Sequence, residues 1–205
     1  MADVRELLGR LSAATVRFDT GRGGLPELTP QDVAGALGMV APGLGRDFLE
    51  FLHGPSMGVC PSARCKVRAD LCRLALNHAH CLRWAAIDAR AVVEIARINA
   101  QLDGDKSAAS RDRLRSLERA EARARDQQWP DKLGEKVMAI ADIVIDHMRG
   151  ERLANVARAK RLGIDESTYR ERWARVVDAL LTEVIEAEQA AAAELKVALR
   201  HAAVQ

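Results

Sequence analysis

The stretch from Ala63 to Gln101 contains neither glycine nor proline, the two residues that most often interrupt a helix. Its apolar residues recur at intervals of four and three, which is the spacing of one face of a helix. We therefore predict one long helix here, against which the other segments must pack. The predicted apolar stripe consists of Val67, Leu71, Leu74, His78, Cys81, Ala85, Ala89 and Val92, broadened by Ile87, Val93, Ile95 and Ile98.

Composition extends the helical prediction to the whole chain. The 205 residues are rich in Ala, Arg, Leu and Glu, which favour helices, and only 3% are aromatic. Almost no segment alternates in the way a strand would. We predict an all-α, multi-helix protein with a C-terminal helix-turn-helix and a long terminal helix. The predicted regions are an N-terminal arm and linker at 1–27, an N-terminal helical region at 28–104, a charged helical arm at 105–130 and a helix-turn-helix DNA-binding region at 131–205.

The sequence lacks the usual signals for a membrane or secreted location. No apolar run reaches the roughly 20 residues that span a bilayer. Asp3 and Glu6 lie near the N-terminus, where a signal peptide would have a basic and then an apolar segment. We expect a cytoplasmic protein without a membrane partner, whose four cysteines are reduced. The net charge of +2 means that any basic surface must be local.

Shorter helices are predicted on both sides of the long one. Thr29 suits the N-cap of a helix and Pro30 suits its first position. A further short helix is predicted at 46–53, and another at 131–148. The last of these places Leu133, Val137, Ile140, Val144 and Met148 on its inner face.

A strongly charged helix is predicted at 107–128. Leu114 and Leu117 are its only sizeable apolar residues, so it has little surface to bury. Such a helix is either a solvated arm or a face that binds a partner.

Residues 151–181 predict two helices joined by a tight turn. Gly163 can adopt the left-handed backbone that ends the first helix, and Asp165 can cap the second with its carboxylate. Tyr169 and Trp173 begin the inner face of the second helix, which leaves polar residues outward at its N-terminal end. A helix-turn-helix presents its recognition helix to the major groove in this way. A structural helical hairpin is the alternative.

Charge in the same stretch favours DNA. Between Arg149 and Arg175 there are eight basic residues and four acidic ones, and a local basic excess contributes phosphate contacts. Side chains of the second helix can reach base edges, while those of the first suit phosphates. The predicted DNA-binding residues are Arg158, Lys160, Arg161, Glu166, Ser167, Thr168, Arg170, Glu171 and Arg175.

The spacing of the cysteine and histidine residues is typical of neither a metal site nor a catalytic site. The four cysteines follow a C-x4-C-x6-C-x8-C spacing from Cys60 to Cys81, whereas structural zinc sites use short C-x2–4-C pairs. Cys81 with His78, or Cys60 with His53, could pair as nucleophile and base, but nothing positions a third group. The chain also lacks a Gly-rich phosphate loop, HExxH and GxSxG. We therefore predict no metal, no cofactor and no enzymatic activity.

Three segments together resemble the Q antitermination proteins of lambda-type phages. They are LTPQDVAGALGMVAPGLG at 28–45, KVMAIADIVIDHMR at 136–149 and LGIDESTYRERWARVVDALL at 162–181. The segments occur in the same order as in that family, and the resemblance covers well under half of the residues. The family's zinc-finger insertion, which precedes the helix-turn-helix, is absent here. Only Gly150, Glu151 and Arg152 fill that interval.

The resemblance implies a phage late-gene antitermination factor acting in the bacterial cytoplasm. Such proteins bind double-stranded DNA at a late promoter, load onto RNA polymerase paused there with its sigma factor, and make it read through terminators. Two alternatives stay open. One is a helix-turn-helix repressor or small terminase subunit. The other is a helical adaptor that binds no DNA and docks through its charged helix.

Overall fold

The computed structural model describes residues 30–53, 61–102 and 107–202, which form helices without any strand. The all-α prediction is therefore confirmed, while the predicted N-terminal arm, Thr29 and Cys60 lie outside the described residues. The helices are α1 (Pro30–Met39), α2 (Leu44–His53), α3 (Pro61–Leu102), α4 (Ala108–Gln127), α5 (Leu133–Met148), α6 (Asn155–Leu162), α7 (Glu166–Thr168), a π-helical turn (Tyr169–Trp173) and α8 (Ala174–Ala202).

The last three elements form one continuous helix, which confirms the long terminal helix. Thr168 and Ala174, the residues on either side of the π-helical turn, both have right-handed helical backbone angles. None of the helices in the described ranges is long and apolar enough to cross a membrane.

The main apolar core lies where α2, α5 and α8 meet the inner half of α3, residues 61–80. Each fully buried aliphatic or aromatic side chain stabilises the fold by roughly 1.5–3 kcal/mol. The largest fully buried side chains in this core are Phe48, Phe51, Leu71, Ile140, Ile143, Ile145, Tyr169 and Leu180.

A second, smaller core joins the first helices to the end of the chain. Val33, Ala36 and Val40 of α1 pack with Leu49 of α2 against the C-terminal part of α8, including Leu195. The N-terminal helical region therefore packs directly against α8, which is the continuation of the predicted recognition helix.

The contact between α2 and α8 depends on a glycine. A Cβ atom built at Gly45 would lie 2.1 Å from the backbone oxygen of Ala187. Real atoms do not approach so closely, so the backbones of α2 and α8 can touch only because position 45 has no side chain.

Gly45→Ala is expected to lower the free energy of unfolding by about 1–3 kcal/mol, because the added methyl group overpacks the α2–α8 contact. Gly35→Ala is the matched control, since Gly35 lies in α1 with nothing within 4 Å of an added Cβ. That change should raise the free energy of unfolding by roughly 0.5–1 kcal/mol. Urea unfolding followed by circular dichroism measures both, and an equal effect of the two changes would contradict the close contact.

The predicted stripe on α3 is correct in the inner half and mostly wrong in the outer half, residues 81–102. Val67, Leu71 and Val93 are buried as expected, whereas Ala86 is buried although it lies outside the predicted stripe. The predicted residues that are exposed instead are Cys81, Ala85, Ile87, Val92, Ile95 and Ile98. Intervals of four and three average 3.5 residues, while an α-helix has 3.6 per turn, so the stripe drifts by about 20° per heptad. The packing partner also changes, because the outer half meets α4 and not the core.

The charged helix α4 lies along the outer half of α3 and does not stand alone. Arg97 and Glu118 link the two helices with a 2.8 Å ion pair, and none of the residues of α4 is fully buried. Ser107 caps the start of α4, since its side-chain oxygen accepts a hydrogen bond from the Ser110 N–H. We call α3 and α4 together the α3–α4 hairpin.

The base of the α3–α4 hairpin is attached to α8. Trp129, just after α4, stacks on His78 of α3 with ring centroids 5.6 Å apart. His78 in turn lies 2.5 Å from the carboxylate of Glu183 in α8. The hairpin is therefore oriented by the same long helix that continues from α7.

Candidate nucleic-acid interface

The turn between α6 and α7 has a defined backbone geometry. Gly163 is left-handed, with φ 63° and ψ 40°. Its N–H donates to the carbonyl of Lys160, and the Ile164 N–H donates to that of Ala159, which is the hydrogen-bond pattern of a Schellman motif. Ile164 packs against the main core, so the chain turns sharply at the end of α6.

Asp165 begins the second helix with extended backbone angles and a complete set of capping contacts. Its carboxylate accepts from the Thr168 N–H at 2.8 Å and from the hydroxyls of Ser167 and Thr168 at 2.5 and 2.7 Å. These hydrogen bonds hold the pKa of Asp165 well below its usual range. The cap is therefore charged at neutral pH, as suits the positive end of a helix dipole.

Gly163→Ala is expected to lower the free energy of unfolding by about 1–2 kcal/mol, the cost of a left-handed conformation for a residue with a Cβ. No atom lies within 4 Å of a Cβ added at Gly163, so crowding contributes nothing to the loss. Gly134→Ala is the control, because Gly134 has equal space and no positive φ. Chemical denaturation measures both variants. An unchanged midpoint for Gly163→Ala would show that the turn does not require its observed conformation.

The inner side of this unit is fixed to the core. Tyr169 and Trp173 are buried, with 0% and 3% of their surfaces exposed. The ammonium group of Lys136 in α5 donates a 2.5 Å hydrogen bond to the carbonyl of Leu162, the last residue of α6. Both helices are therefore anchored to the core of the protein.

The π-helical turn at Tyr169–Trp173 was not predicted from the sequence. The Ala174 N–H donates to the carbonyl of Tyr169, five residues back. Such turns are rare and occur frequently at functional sites. The sequence gives no signal for it, because the residues YRERW also suit an ordinary α-helix.

Three of the predicted DNA-binding arginines are engaged within the protein. Arg161 pairs with the buried carboxylate of Asp146, which also contacts Arg64. Arg175 donates hydrogen bonds to the carbonyls of Asp126 and Gln128, at the end of α4. These two arginines connect elements of the fold, so their guanidinium groups are already used.

Arg158 is the third engaged arginine. It donates to the Tyr169 hydroxyl at 3.3 Å and contacts Nδ1 of His147 at 3.1 Å. Burial and the neighbouring charges of Arg158 and Arg152 lower the pKa of His147. At neutral pH the ring is therefore uncharged, and its Nδ1 accepts a hydrogen bond from the Arg158 guanidinium.

The other predicted residues lie on the outer surface. One group bonds to the Asp165 cap, and the other consists of charged side chains. Ser167 and Thr168 serve the Asp165 cap, as described above. Arg170 is 65% exposed at its side chain and pairs with Glu166 one turn earlier, while Glu171 and Lys160 are exposed. Arg170, Glu171 and Lys160 are thus the predicted side chains most available to a ligand.

Three further arginines were not predicted as site residues. Arg149, Arg152 and Arg172 are exposed and form no ion pair with any residue in the described ranges. Each lies within the basic interval recognised in the sequence, so the local charge excess was the available signal. Of the eight basic residues in that interval, Arg158, Arg161 and Arg175 contact other elements of the fold. The other five lie on the outer surface with four acidic residues nearby, and one of the five, Arg170, pairs with Glu166.

The cysteines that the structure describes do not converge. Cys65, Cys72 and Cys81 are free thiols, and among the described residues no three or more His, Cys, Asp or Glu side chains could share a metal. Cys72 lies 3.5 Å from the sulfur of Met138, and burial raises the pKa of its thiol. Cys65 and Cys72 line an open apolar groove of about 550 Å³ between α3 and α5.

Comparison with known proteins gives no relative. No protein-family model, curated protein or solved structure matches the chain.

Proposed function

We propose that this protein is a sequence-specific DNA-binding protein that acts as a phage-type transcription antitermination factor. Helix α6, the turn at Gly163 and the helix beginning at Glu166 form its DNA-binding unit. The second helix enters the major groove with its N-terminal end, and the protein makes or breaks no covalent bond.

The observation that supports DNA binding best is the division of this unit into a fixed inner side and a polar outer side. Tyr169 and Trp173 anchor the second helix to the core, while Arg170 and Glu171 point away from it. Base recognition requires polar side chains on a rigid support, because misplaced donors lose their hydrogen bonds to base edges.

Exposed cations next to this helix provide contacts to the phosphate backbone. Lys160 belongs to α6, Arg149 and Arg152 lie just before it, and Arg172 lies on the π-helical turn; all four are exposed. Each phosphate neutralised releases counterions and steepens the salt dependence by about 0.9 in the log–log slope. With so few outward cations, we expect moderate affinity and a shallow slope.

Antitermination rests on the resemblance of the three segments to the Q proteins. On this proposal the partners are double-stranded DNA near a promoter and bacterial RNA polymerase with its sigma factor. Because the zinc-finger insertion of that family is missing, another surface must contact polymerase. The α3–α4 hairpin offers an extended, charged one whose α4 has no buried residue.

The same exposed charge on α4 favours one different function, a helical adaptor without DNA binding. Here the hairpin would dock on a partner protein and the α6–α7 unit would be structural. A repressor or small terminase subunit with the same DNA-binding unit is the third candidate.

In vitro transcription separates these candidates. A duplex selected by the purified protein from a random library is placed at a promoter, with a terminator downstream, and transcribed by bacterial polymerase holoenzyme. We expect read-through to rise when the protein is added and the selected site is present, and not when that site is scrambled. DNA binding without read-through would favour the repressor or terminase function, and loss of both would favour the adaptor.

A further inference from the structure

The outer half of α3 has a second apolar stripe on the side away from α4. The residues buried against α4, Ala86 and Val93, lie on one side of the helix. The opposite side carries large side chains that are between 46% and 58% exposed. This outer stripe consists of Trp84, Ile87, Ala91, Ile95 and Ile98.

The outer stripe is symmetric along the sequence. Trp84 and Ile98 lie seven residues from Ala91 on either side, and Ile87 and Ile95 lie four residues from it. At 3.6 residues per turn, all five positions fall within about 40° of one line along the helix. A surface with this pattern is complementary to itself when two copies run in opposite directions.

We propose that the protein forms a dimer in which the outer stripes of two copies pack antiparallel about a two-fold axis at Ala91. The small alanines then face each other at the axis and allow close approach of the helices. Ile87 packs against Ile95 of the second copy, and Trp84 against its Ile98. Each contact occurs twice, as an isologous interface requires.

Charges along the edge of the stripe fit the antiparallel orientation. Arg90 and Glu94 are exposed on the same edge of α3, on either side of the level of Ala91, and the Glu94 carboxylate also pairs with Arg97 at 3.0 Å. Reversing one helix about Ala91 brings Arg90 beside Glu94 of the second copy, and the reverse pair forms by symmetry. Opposite charges that flank an apolar stripe set partner choice and orientation in paired helices.

A groove beside the stripe provides room for the largest side chain. It has a volume of about 360 Å³ and lies between α3 and α4, where Ile95, Asn99 and Leu114 are among its lining residues. An antiparallel copy carries its Trp84 to the level of residues 98 and 99, on the edge that opens into this groove. The indole N–H of Trp84 already donates to His80 at 2.8 Å, so the ring can be buried without an unpaired donor.

Sedimentation equilibrium of the full chain tests the dimer. The wild type is expected to show twice the 22.4 kDa chain mass at micromolar concentration. Ile87→Glu should raise the dissociation constant at least about 30-fold, the effect of losing one strong interface side chain. Val197→Glu is the matched control, since Val197 is 50% exposed on α8, outside the stripe, and should leave the dimer intact.

Charge exchange tests the orientation. Arg90→Glu should weaken the dimer, and the double variant Arg90→Glu/Glu94→Arg should restore it. Circular dichroism verifies that each variant keeps its helices, and Ala91→Arg replaces Ile87→Glu if the latter does not fold. A monomeric wild type would overturn the proposal, and so would a dimer that survives the folded stripe variant, whether Ile87→Glu or its replacement Ala91→Arg.

Discussion

Tyr169→Ala is expected to lower the free energy of unfolding by about 3–5 kcal/mol, the usual cost of deleting a buried aromatic ring. Tyr169 is 0% exposed and belongs to the main core beneath α6 and the start of the long terminal helix. Removing the ring leaves a cavity and deprives Arg158 of its hydroxyl partner. Urea or thermal unfolding of the purified variant measures the loss.

Tyr169→Phe separates the ring from its hydroxyl. It keeps the packed ring and removes only the 3.3 Å hydrogen bond from Arg158, so a loss of about 0.5–1.5 kcal/mol is expected. If Tyr169→Ala were no more harmful than Tyr169→Phe, the ring would not be the anchor of the second helix.

Arg170→Ala is expected to reduce affinity for the selected duplex by about 1–3 kcal/mol and to change affinity for unrelated DNA far less. The reason is that a bidentate arginine contact to a base edge discriminates by that amount. In the free protein the Arg170 guanidinium pairs with the Glu166 carboxylate one turn earlier. Fluorescence anisotropy with the two duplexes, at matched salt, measures the difference.

Lys160→Ala should behave differently, because a phosphate contact carries no sequence information. It is expected to weaken binding to both duplexes about equally and to flatten the salt dependence by about one unit of slope. Lys196→Ala is the control, since Lys196 is an exposed cation on α8, far along the chain from the turn. Unchanged binding of both duplexes by Arg170→Ala and Lys160→Ala would leave the helical adaptor as the better function.

The helical fold could be predicted because its signals are local. The absence of glycine and proline between Ala63 and Gln101 is sufficient for α3, and the spacing from Leu133 to Val144 is sufficient for the buried face of α5. The turn between α6 and α7 could be predicted equally well, since Gly163 and Asp165 act through their own backbone and their immediate neighbours. Such features need no knowledge of distant contacts.

The sequence could not show which of the predicted DNA-binding arginines are free to contact DNA, because their partners within the protein are far away in the sequence. Arg175 is held by carbonyls at the end of α4, and Arg161 is held by Asp146. The packing of α4 against α3 could not be predicted from the sequence for the same reason. Its few apolar residues indicate little burial, yet Leu114 and Leu117 lie at the groove it forms with α3.

The most direct measurement of the central claim is photo-cross-linking from the outer side of the second helix. A benzophenone amino acid replaces Glu171 in one variant and Gln189 in the other, both exposed positions on the same continuous helix. With the selected duplex bound and irradiated, the account predicts a protein–DNA adduct from position 171 and none from position 189. An adduct from position 189 alone, or no adduct from position 171 while anisotropy shows the duplex bound, would contradict it.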